Sequence, residues 1–259
     1  MKIVIIGAGR VGAALSYALK SSGHNILRII SKTPGSASAL AKDLGCDQST
    51  GMEIPDEAGL VITAVNDDNL QGVLSSLQAP GDTVIAHTAG SIGLDVFDSK
   101  TVNRGVFYPL QTFTHGREYD FSGIPLFIEG SNEHTLNLLS GVASSLSKSV
   151  SEMNSDSRKY LHLAAVFSCN FVNHMFSAAE EICNKAGVSY EVLDPLVRET
   201  LEKALDMGPL NSQTGPAIRN DKKTIEKHLD LLSFSGDLKE LYGVMSKSII
   251  NKYTGRIDE

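Results

Sequence analysis

The sequence is poor in cysteine and has no long hydrophobic run. Its three cysteines, Cys46, Cys169 and Cys183, form no C-x-x-C pair and are odd in number. This pattern supports neither a disulfide framework nor a zinc knuckle. No apolar run approaches the roughly 20 residues of a membrane-spanning helix, and the N-terminus is unlike a signal peptide. These absences predict a soluble cytoplasmic protein with reduced thiols.

Positive charge is also scarce. There are 30 Asp and Glu residues against 23 Lys and Arg, which gives a net charge of -7 and a pI near 5.5. General binding to nucleic acid or to anionic membranes depends on clustered Lys and Arg, so neither is expected. No metal is expected either, because four scattered histidines lack metal-ligand spacing: His115, His134, His174 and His228.

The N-terminus joins an apolar run to a glycine-rich turn. Residues 3–6 are typical of a buried strand, residues 13–19 of a helix, and between them lies Gly7-Ala8-Gly9-Arg10-Val11-Gly12, a G-x-G-x-x-G motif. The three glycines allow a tight turn, close approach of a pyrophosphate and packing of the helix on the strand. The N-terminus of the helix binds the anion without a lysine. The segment therefore predicts a dinucleotide-binding Rossmann unit; a glycine turn without a ligand is the alternative.

The end of the second predicted strand distinguishes between the nicotinamide cofactors. Residues 26–30 are followed by Ser31-Lys32-Thr33, at the place where NAD enzymes usually carry Asp or Glu for the ribose 2′-hydroxyl. A carboxylate would repel the extra phosphate of NADP, whereas two hydroxyls and an ammonium bind it through charge-assisted hydrogen bonds. The sequence therefore predicts NADP, with Lys32 as a solvated turn residue the alternative.

The chain changes character past its middle. Strand-like apolar runs occur at residues 60–65 and 83–86, as expected for parallel strands covered on both faces, and residues 105–108 and 126–128 look like further strands. From about Asp156 they give way to helical periodicity, over residues 161–186 and 192–205. With 259 residues, of which 42% are apolar, the chain can fill two cores. We predict an NADP-binding Rossmann domain at 1–154 and an all-helical substrate and dimerisation domain at 155–259.

The first helix of the second domain is apolar on nearly all sides. Its apolar residues are Leu163, Ala164, Ala165, Val166, Phe167, Phe171, Val172, Met175 and Phe176. Such a helix must be buried on most of its surface. We therefore predict a homodimer formed through the helical domain; a single large core within one chain is the alternative.

Motifs spread over nearly the whole chain resemble those of one family. Besides the glycine motif, they are Asn66-Asp67, His87-Thr88-Ala89-Gly90-Ser91, residues 108–113 (YPLQTF), residues 160–162 (YLH), residues 168–170 (SCN) and residues 214–221 (TGPAIRND). Together they resemble the Rossmann-like NADP oxidoreductases that are often named deazaflavin-dependent by similarity. This family is related to pyrroline-5-carboxylate reductases and to 6-phosphogluconate and β-hydroxyacid dehydrogenases. The resemblance implies an α/β fold whose Rossmann domain precedes a helical domain of the 6-phosphogluconate dehydrogenase C-terminal type; it implies no substrate.

Several polar residues follow predicted strands, where ligands of open α/β sheets bind. Asn66 is a candidate for cofactor binding, and Ser91 for a substrate anion or carboxamide. His87 either orients the nicotinamide or donates to a substrate carbonyl or imine, or it is a structural hydrogen-bonding residue of the turn. Asp67 and Asp68 are interpreted as caps of the next helix.

The helical domain carries a polar stripe. On a regular helix, His162, Cys169 and Asn173 fall within a narrow arc that Asn170 flanks. Histidine has an unperturbed pKa of about 6.5, so His162 is predicted to donate or accept the proton, with Asn170 as a second catalytic residue. A histidine satisfied by core hydrogen bonds is the alternative. Asn173 is predicted to bind substrate. Related dehydrogenases use a Lys and an Asn on the corresponding helix, but this stripe contains no lysine.

Two further residues complete the predicted site. Gln111 is expected to line the pocket, and Arg219 either binds a substrate carboxylate bidentately or forms a structural turn with Asp221. We expect an NADP-dependent oxidoreductase that transfers hydride between NADP(H) and a small carbonyl or imine compound bound between the two domains. The alternatives are a non-catalytic NADP-binding sensor or scaffold, favoured by the missing lysine, and an enzyme whose hydride partner is a deazaflavin.

Overall fold

The computed structural model describes residues 1–253 and contains one eight-stranded sheet. Its strands are β1 (Lys2–Ile6), β2 (Asn25–Ile30), β3 (Asp47–Ser49), β4 (Leu60–Thr63), β5 (Val84–His87), β6 (Arg104–Pro109), β7 (Leu126–Gly130) and β8 (Val150–Glu152). The α-helices are α1 (Arg10–Ser21), α2 (Pro34–Leu44), α3 (Asp67–Ser76), α4 (Glu133–Leu146), α5 (Ser155–Ala165), α6 (Val172–Ala186), α7 (Asp194–Met207), α8 (Lys222–Leu231) and α9 (Gly236–Tyr253).

The strand order of the sheet places the predicted ligand loops at one edge. The order is β3-β2-β1-β4-β5-β6-β7-β8, in which β1 to β6 have parallel neighbours. Only β6 and β7 pair antiparallel among the described strands. The chain leaves β1 in one direction along the sheet and later crosses to β4 on the other side. Such a reversal opens a crevice beyond the carboxyl ends of the strands.

The central strands are buried on both faces, which explains their unbroken apolar runs. In β1, Ile3 and Ile5 pack into the same layer as residues of α1, α2 and α4. Val4 and Ile6 point to the opposite face and pack with residues of α3. The alternation of a strand thus gives each face its own apolar core. This arrangement confirms the predicted Rossmann fold.

Beyond β8 the described chain is helical, as predicted. Helices α5 and α6 are joined by a π-helical turn over Val166–Phe171. The chain divides into two compact units, the first from Met1 to Asn170 and the second from Phe171. Helix α5 therefore belongs to the same unit as the sheet, and the division follows it, whereas we placed the domain boundary before it.

The helical part of the chain leaves much apolar surface exposed. Leu163, Phe167 and Phe171 lie in the segment that we expected to be buried on most sides, and Phe167 is 62% exposed. The single chain therefore does not bury this face of the helix. Within residues 1–253, none of the helices combines the length and the hydrophobicity that a bilayer crossing requires.

Candidate functional site

The glycine turn after β1 has the geometry that its motif predicts. Gly7 has a φ of +106°, and its N–H donates to the Ile30 carbonyl at 2.8 Å, which joins the turn to the end of β2. A Cβ on Gly7 would collide with the Ala64 carbonyl, and one on Gly12 with the carbonyl of Gly7. A Cβ on Gly9 would instead face open space, with no heavy atom of the described chain within 4 Å apart from its immediate neighbours. Side chains are thus excluded at Gly7 and Gly12, whereas the backbone at Gly9 is accessible to a ligand.

The first turn of α1 has no capping side chain. The helix begins at Arg10 and its N-cap residue is Gly9, so the first N–H groups receive no side-chain acceptor from that residue. Unsatisfied N–H groups and the positive end of the helix dipole attract an anion. This end of α1 therefore fits a pyrophosphate.

The residues after β2 offer a second anion-binding group. The Thr33 N–H donates to Ser31 Oγ at 3.2 Å, which folds the turn, and Thr33 is the N-cap of α2 without a side-chain capping bond. The ammonium of Lys32 forms no ion pair with any described residue. The turn next to the glycine motif thus offers two hydroxyls, an ammonium without an ion pair among the described residues, and a helix N-terminus. Residues 31–33 include no carboxylate that would repel a 2′-phosphate.

The loops after β4 and β5 are tied to each other. The Ser91 hydroxyl donates to Asp67 Oδ2, and Asp67 and Asp68 occupy the first turn of α3. The N-cap is Asn66, whose side chain makes no capping bond within the described chain. The capping role that we expected for the two aspartates is therefore wrong: they follow the cap position, and Asp67 accepts from another loop. The carboxamide of Asn66 remains available for a ligand.

His87, the last residue of β5, is completely buried. Its Nδ1 accepts the Ala89 N–H at 3.2 Å, and its ring stacks on Phe97 with centroids 5.6 Å apart. Burial, assisted by the charge of Arg158, lowers the pKa of His87 to about 4. A neutral, buried ring that shapes its own loop favours the structural interpretation of His87 over direct contact with substrate.

His162 is half-buried on α5 and contacts the end of β6. Its Nδ1 lies 3.1 Å from the Tyr108 hydroxyl, and the two rings meet edge to face with centroids 6.1 Å apart. Tyr108 is 8% exposed, and burial raises the pKa of its hydroxyl. This pair lies at the carboxyl edge of the sheet, beside the loop after β5.

A buried ion pair supports that arrangement. Arg158 lies one helical turn before His162, has no exposed surface and pairs with Glu129 of β7. Its other amino group donates to the Ile92 carbonyl at 2.6 Å, and Ser155 Oγ donates to Glu129 Oε2 at 2.8 Å. One guanidinium thus joins α5, β7 and the loop after β5.

The other predicted residues are exposed and more separate. The Gln111 carboxamide accepts from the N–H of its neighbour Thr112 at 2.8 Å. Asn170 ends the first unit within the π-helical turn, and Asn173 lies on α6 in the second unit. Because a π-helical turn bonds i to i+5, it shifts the residues that follow out of regular α-helical register. The polar stripe that we derived from regular spacing is therefore not preserved through this turn.

Within the described residues, Arg219 and Asp221 lie in one turn, and the charge of Arg219 contributes to the lowered pKa of Asp221. Arg219 is exposed and forms no ion pair there, while Asp221 caps α8 by accepting the Thr224 N–H at 3.1 Å and its hydroxyl at 2.8 Å. These hydrogen bonds lower the pKa of Asp221. The guanidinium of Arg219 is therefore available for an external anion.

Sequence reasoning did not single out Tyr108, Glu129 or Arg158 as site residues. A tyrosine at the carboxyl end of an apolar strand was the available signal for Tyr108. Glu129 and Arg158 carry no such signal, because charged residues in strands and helices are usually exposed. Their role follows from a contact between positions 29 residues apart.

Comparisons with known proteins agree with this architecture. Residues 1–111 match a Rossmann-like domain, and residues 124–249 match a domain of unknown function, DUF2520. None of the curated proteins compared with the chain matches it significantly.

Solved structures extend the similarity over the whole chain. BF3122 from Bacteroides fragilis, described as a "putative NADP oxidoreductase", is 39% identical with a TM-score of 0.88, over 96% of this chain and 98% of that one. Protein TM1727 from Thermotoga maritima is 23% identical with a TM-score of 0.79, over 98% and 100%. An imine reductase from Myxococcus stipitatus in complex with NADP+ shares the fold at 15% identity, with a TM-score of 0.68 over 100% and 94%. The identity to BF3122 over nearly the full length of both chains shows that the protein belongs to this family of Rossmann-like NADP oxidoreductases.

Proposed function

We propose that the protein transfers hydride between NADP(H) and a small carbonyl or imine compound. One observation supports this most directly: a single sheet edge combines an anion-binding glycine turn, a basic and hydroxylated turn after β2, and a Tyr108–His162 pair. The glycine turn and the turn after β2 fit a phosphorylated dinucleotide. The Tyr108–His162 pair contains an imidazole that can hold a proton close to the cofactor. The 39% identical relative is described as an NADP oxidoreductase, and the imine reductase shares the fold.

The chain offers a separate group for each part of the cofactor. The backbone of Gly7 to Gly12 and the N-terminus of α1 would hold the pyrophosphate, and Ser31, Lys32 and Thr33 the 2′-phosphate. The free carboxamide of Asn66 would contact the part of the dinucleotide nearest β4. NADPH, when bound, supplies the hydride, while the protein orients the reactants and excludes water.

The substrate would meet polar groups at the same edge. We assign His162 as the residue that holds the transferred proton, and Ser91 and Gln111 as hydrogen-bonding groups for the substrate. Asn170, Asn173 and Arg219 are exposed residues and stay proposed contributors on their side-chain chemistry alone; the last two belong to the second unit. His87 is assigned a structural role in shaping the loop that carries Ser91.

We also propose that the protein is a homodimer formed through its helical region. The exposed large apolar side chains concentrate after α5, among them Phe167, Leu196, Leu201 and Leu205. An apolar surface of this kind on a water-exposed chain indicates a protein interface. A second copy is the natural occupant, because most soluble oligomers are symmetric homo-oligomers.

Cofactor choice is the first test. We expect calorimetric titration to show tighter binding of NADPH than of NADH. Lys32→Ala should weaken NADPH binding about tenfold to hundredfold and leave NADH unchanged, because it removes a hydrogen bond between charged groups. Lys42→Ala, on the same helix-loop segment but outside the turn, is the matched control. Equal binding of both cofactors, or equal effects of both substitutions, would contradict the assignment of the 2′-phosphate site.

Turnover separates the proposal from its rivals. Saturable NADPH oxidation with one member of a carbonyl and imine panel supports the enzyme. Tight NADPH binding without turnover across the panel favours a sensor or scaffold, and oxidation only with an added deazaflavin identifies that coenzyme as the hydride partner. If neither NADPH nor NADH binds, the oxidoreductase proposal is wrong.

A further inference from the structure

The Tyr108 hydroxyl has one route for its proton. Tyr108 is 8% exposed as a residue, and Nδ1 of His162 is the only hydrogen-bonding partner of its hydroxyl among the described residues. Burial raises the pKa of this hydroxyl, so Tyr108 is protonated at neutral pH. A buried donor needs an acceptor, and Nδ1 provides it. In a neutral imidazole the nitrogen that accepts carries no proton, so the ring proton lies on Nε2.

We propose that Tyr108 is a positioning residue that holds His162 in the Nε2–H tautomer, so that Nε2 is the atom that delivers the proton. The inference rests on the proposed function for its substrate. As the carbonyl or imine is reduced, the Nε2 proton passes to its oxygen or nitrogen, and Nδ1 takes the hydroxyl proton of Tyr108. The Nδ1 proton then returns to the tyrosinate while Nε2 takes up a proton from solvent, which restores the starting state.

The surroundings hold both rings in this relation. Gly90 lies against them so closely that a Cβ there would be 2.7 Å from Nδ1 of His162 and 2.8 Å from Cζ of Tyr108. Arg158 holds the helix that carries His162 to the Ile92 carbonyl, two residues after Gly90. The same guanidinium lowers the pKa of the Tyr108 hydroxyl and so partly offsets the effect of burial. The charge of Arg158 thus favours the tyrosinate that forms transiently.

A second tyrosine–histidine pair supplies a matched control. In the second unit, the Tyr242 hydroxyl lies 2.8 Å from Nδ1 of His228, and the rings again meet edge to face. Tyr242→Phe removes the same chemical contact as Tyr108→Phe, but within the second unit. If the loss of any tyrosine–histidine hydrogen bond were enough to change the tautomer of His162, both Tyr108→Phe and Tyr242→Phe would change it.

The tautomer can be measured without turnover. We would record nitrogen-15 NMR spectra of imidazole-labelled protein at about two pH units above the ordinary histidine pKa, with His162 assigned by His162→Gln. The wild type should show His162 protonated on Nε2. Tyr108→Phe and Gly90→Ala should both convert it to a mixture of tautomers, while Tyr242→Phe leaves it unchanged. Gly90→Ala keeps both rings, so the contact is tested even if Tyr108→Phe folds poorly.

Kinetics then show whether this tautomer serves the reaction. Tyr108→Phe should lower kcat about tenfold to hundredfold with little change in KM, which is less than the roughly 10²–10⁴-fold that a general acid contributes, because His162 itself remains. In a His162→Ala background it should cause no further loss, because it acts through His162.

The two proposals fail in different ways. His162 protonated on Nδ1 in the wild type, or a tautomer unaffected by Tyr108→Phe, overturns the positioning role while NADPH turnover still stands. Additive losses in the double variant also overturn it. Absence of turnover with NADPH and the substrate panel refutes the proposed function, whereas the NMR result continues to report on the tautomer.

Discussion

The two compact units bury their apolar side chains to very different extents. In the first unit, Ile3, Ile5 and Leu60 have no exposed surface. Among residues 171–253 only five side chains are buried, namely Ala217, Leu232, Leu238, Ser246 and Tyr253. Leu196 and Leu205 are 62% and 75% exposed. A sheet covered by helices on both faces closes its own core, whereas a helix buries a stripe only when another layer covers it.

Buried polar groups show the same contrast. The first unit buries Arg158 with Glu129 and encloses His87 completely. In the second unit the described polar side chains are largely exposed, and Asp221 makes its capping bonds at the surface. Charged and titratable groups influence a reaction more strongly where they are shielded from water. The proton-handling chemistry that we propose therefore resides in the first unit.

The largest effect should follow from breaking the buried ion pair of the first unit. Arg158→Ala leaves the Glu129 carboxylate without its partner, and we expect a loss of about 3–5 kcal/mol in the free energy of unfolding. Urea denaturation measures this loss. Lys159→Ala removes the neighbouring exposed cation, whose pair with Asp156 is 3.8 Å long, and should change stability very little. Similar losses for the two variants would show that burial does not distinguish them.

The second-largest effect should be a loss of folding stability at low pH, caused by His87. The pKa of His87 is about 4 in the folded protein against about 6.5 in the unfolded chain, so the unfolded state binds the proton first as pH falls. Stability should therefore decrease from about pH 6.5 to pH 4, by roughly 3 kcal/mol from this residue.

Substitution can assign that pH dependence to His87. His87→Asn keeps an acceptor for the Ala89 N–H but cannot take up the proton, so the decline in this window should flatten. His134→Gln changes an exposed histidine and should leave the decline as it is. If the stability of His87→Asn falls with pH as steeply as that of the wild type, another titratable group causes the decrease. Chemical denaturation at a series of pH values measures the outcome.

The smallest expected effect is on dimerisation, and it should follow from a substitution on the exposed apolar surface of the second unit. Leu205→Glu places a charge where we propose that a second copy packs, and should raise the dimer dissociation constant about tenfold to hundredfold. Val102→Glu is the control, because Val102 is 66% exposed but belongs to the first unit. Sedimentation equilibrium distinguishes the two variants. A wild-type protein that is monomeric at micromolar concentration would exclude the dimer.

Local patterns were sufficient to predict much of the first unit. The glycine motif, the strands equivalent to β1, β2, β4, β5, β6 and β7, and the change to helices were all visible in the sequence, because each leaves a repeated signature of a few residues. The short strands β3 and β8 were not predicted. Each has three mainly polar residues at an edge of the sheet, and their backbone pairing is decided by the neighbouring strand.

The candidate site was predicted only in part. His162 was identified from its chemistry and its place on a helix, but its partner Tyr108 lies 54 residues earlier in the chain. The π-helical turn was also missed, since regular spacing had been assumed for Asn170 and Asn173. Both errors have the same origin: a sequence pattern gives the period of one element, and the meeting of two elements depends on their packing.

The sequence by itself determined the cofactor-binding motif, the order of the elements and the division into a sheet-forming and a helical part. These features follow from short-range backbone preferences and from the periodicity of apolar residues. Only the tertiary structure decided that His87 is enclosed and neutral, that Arg158 is buried against Glu129, and that Tyr108 meets His162. Burial and partner choice depend on distances between residues far apart in the chain, which packing of the whole unit sets and no local pattern records.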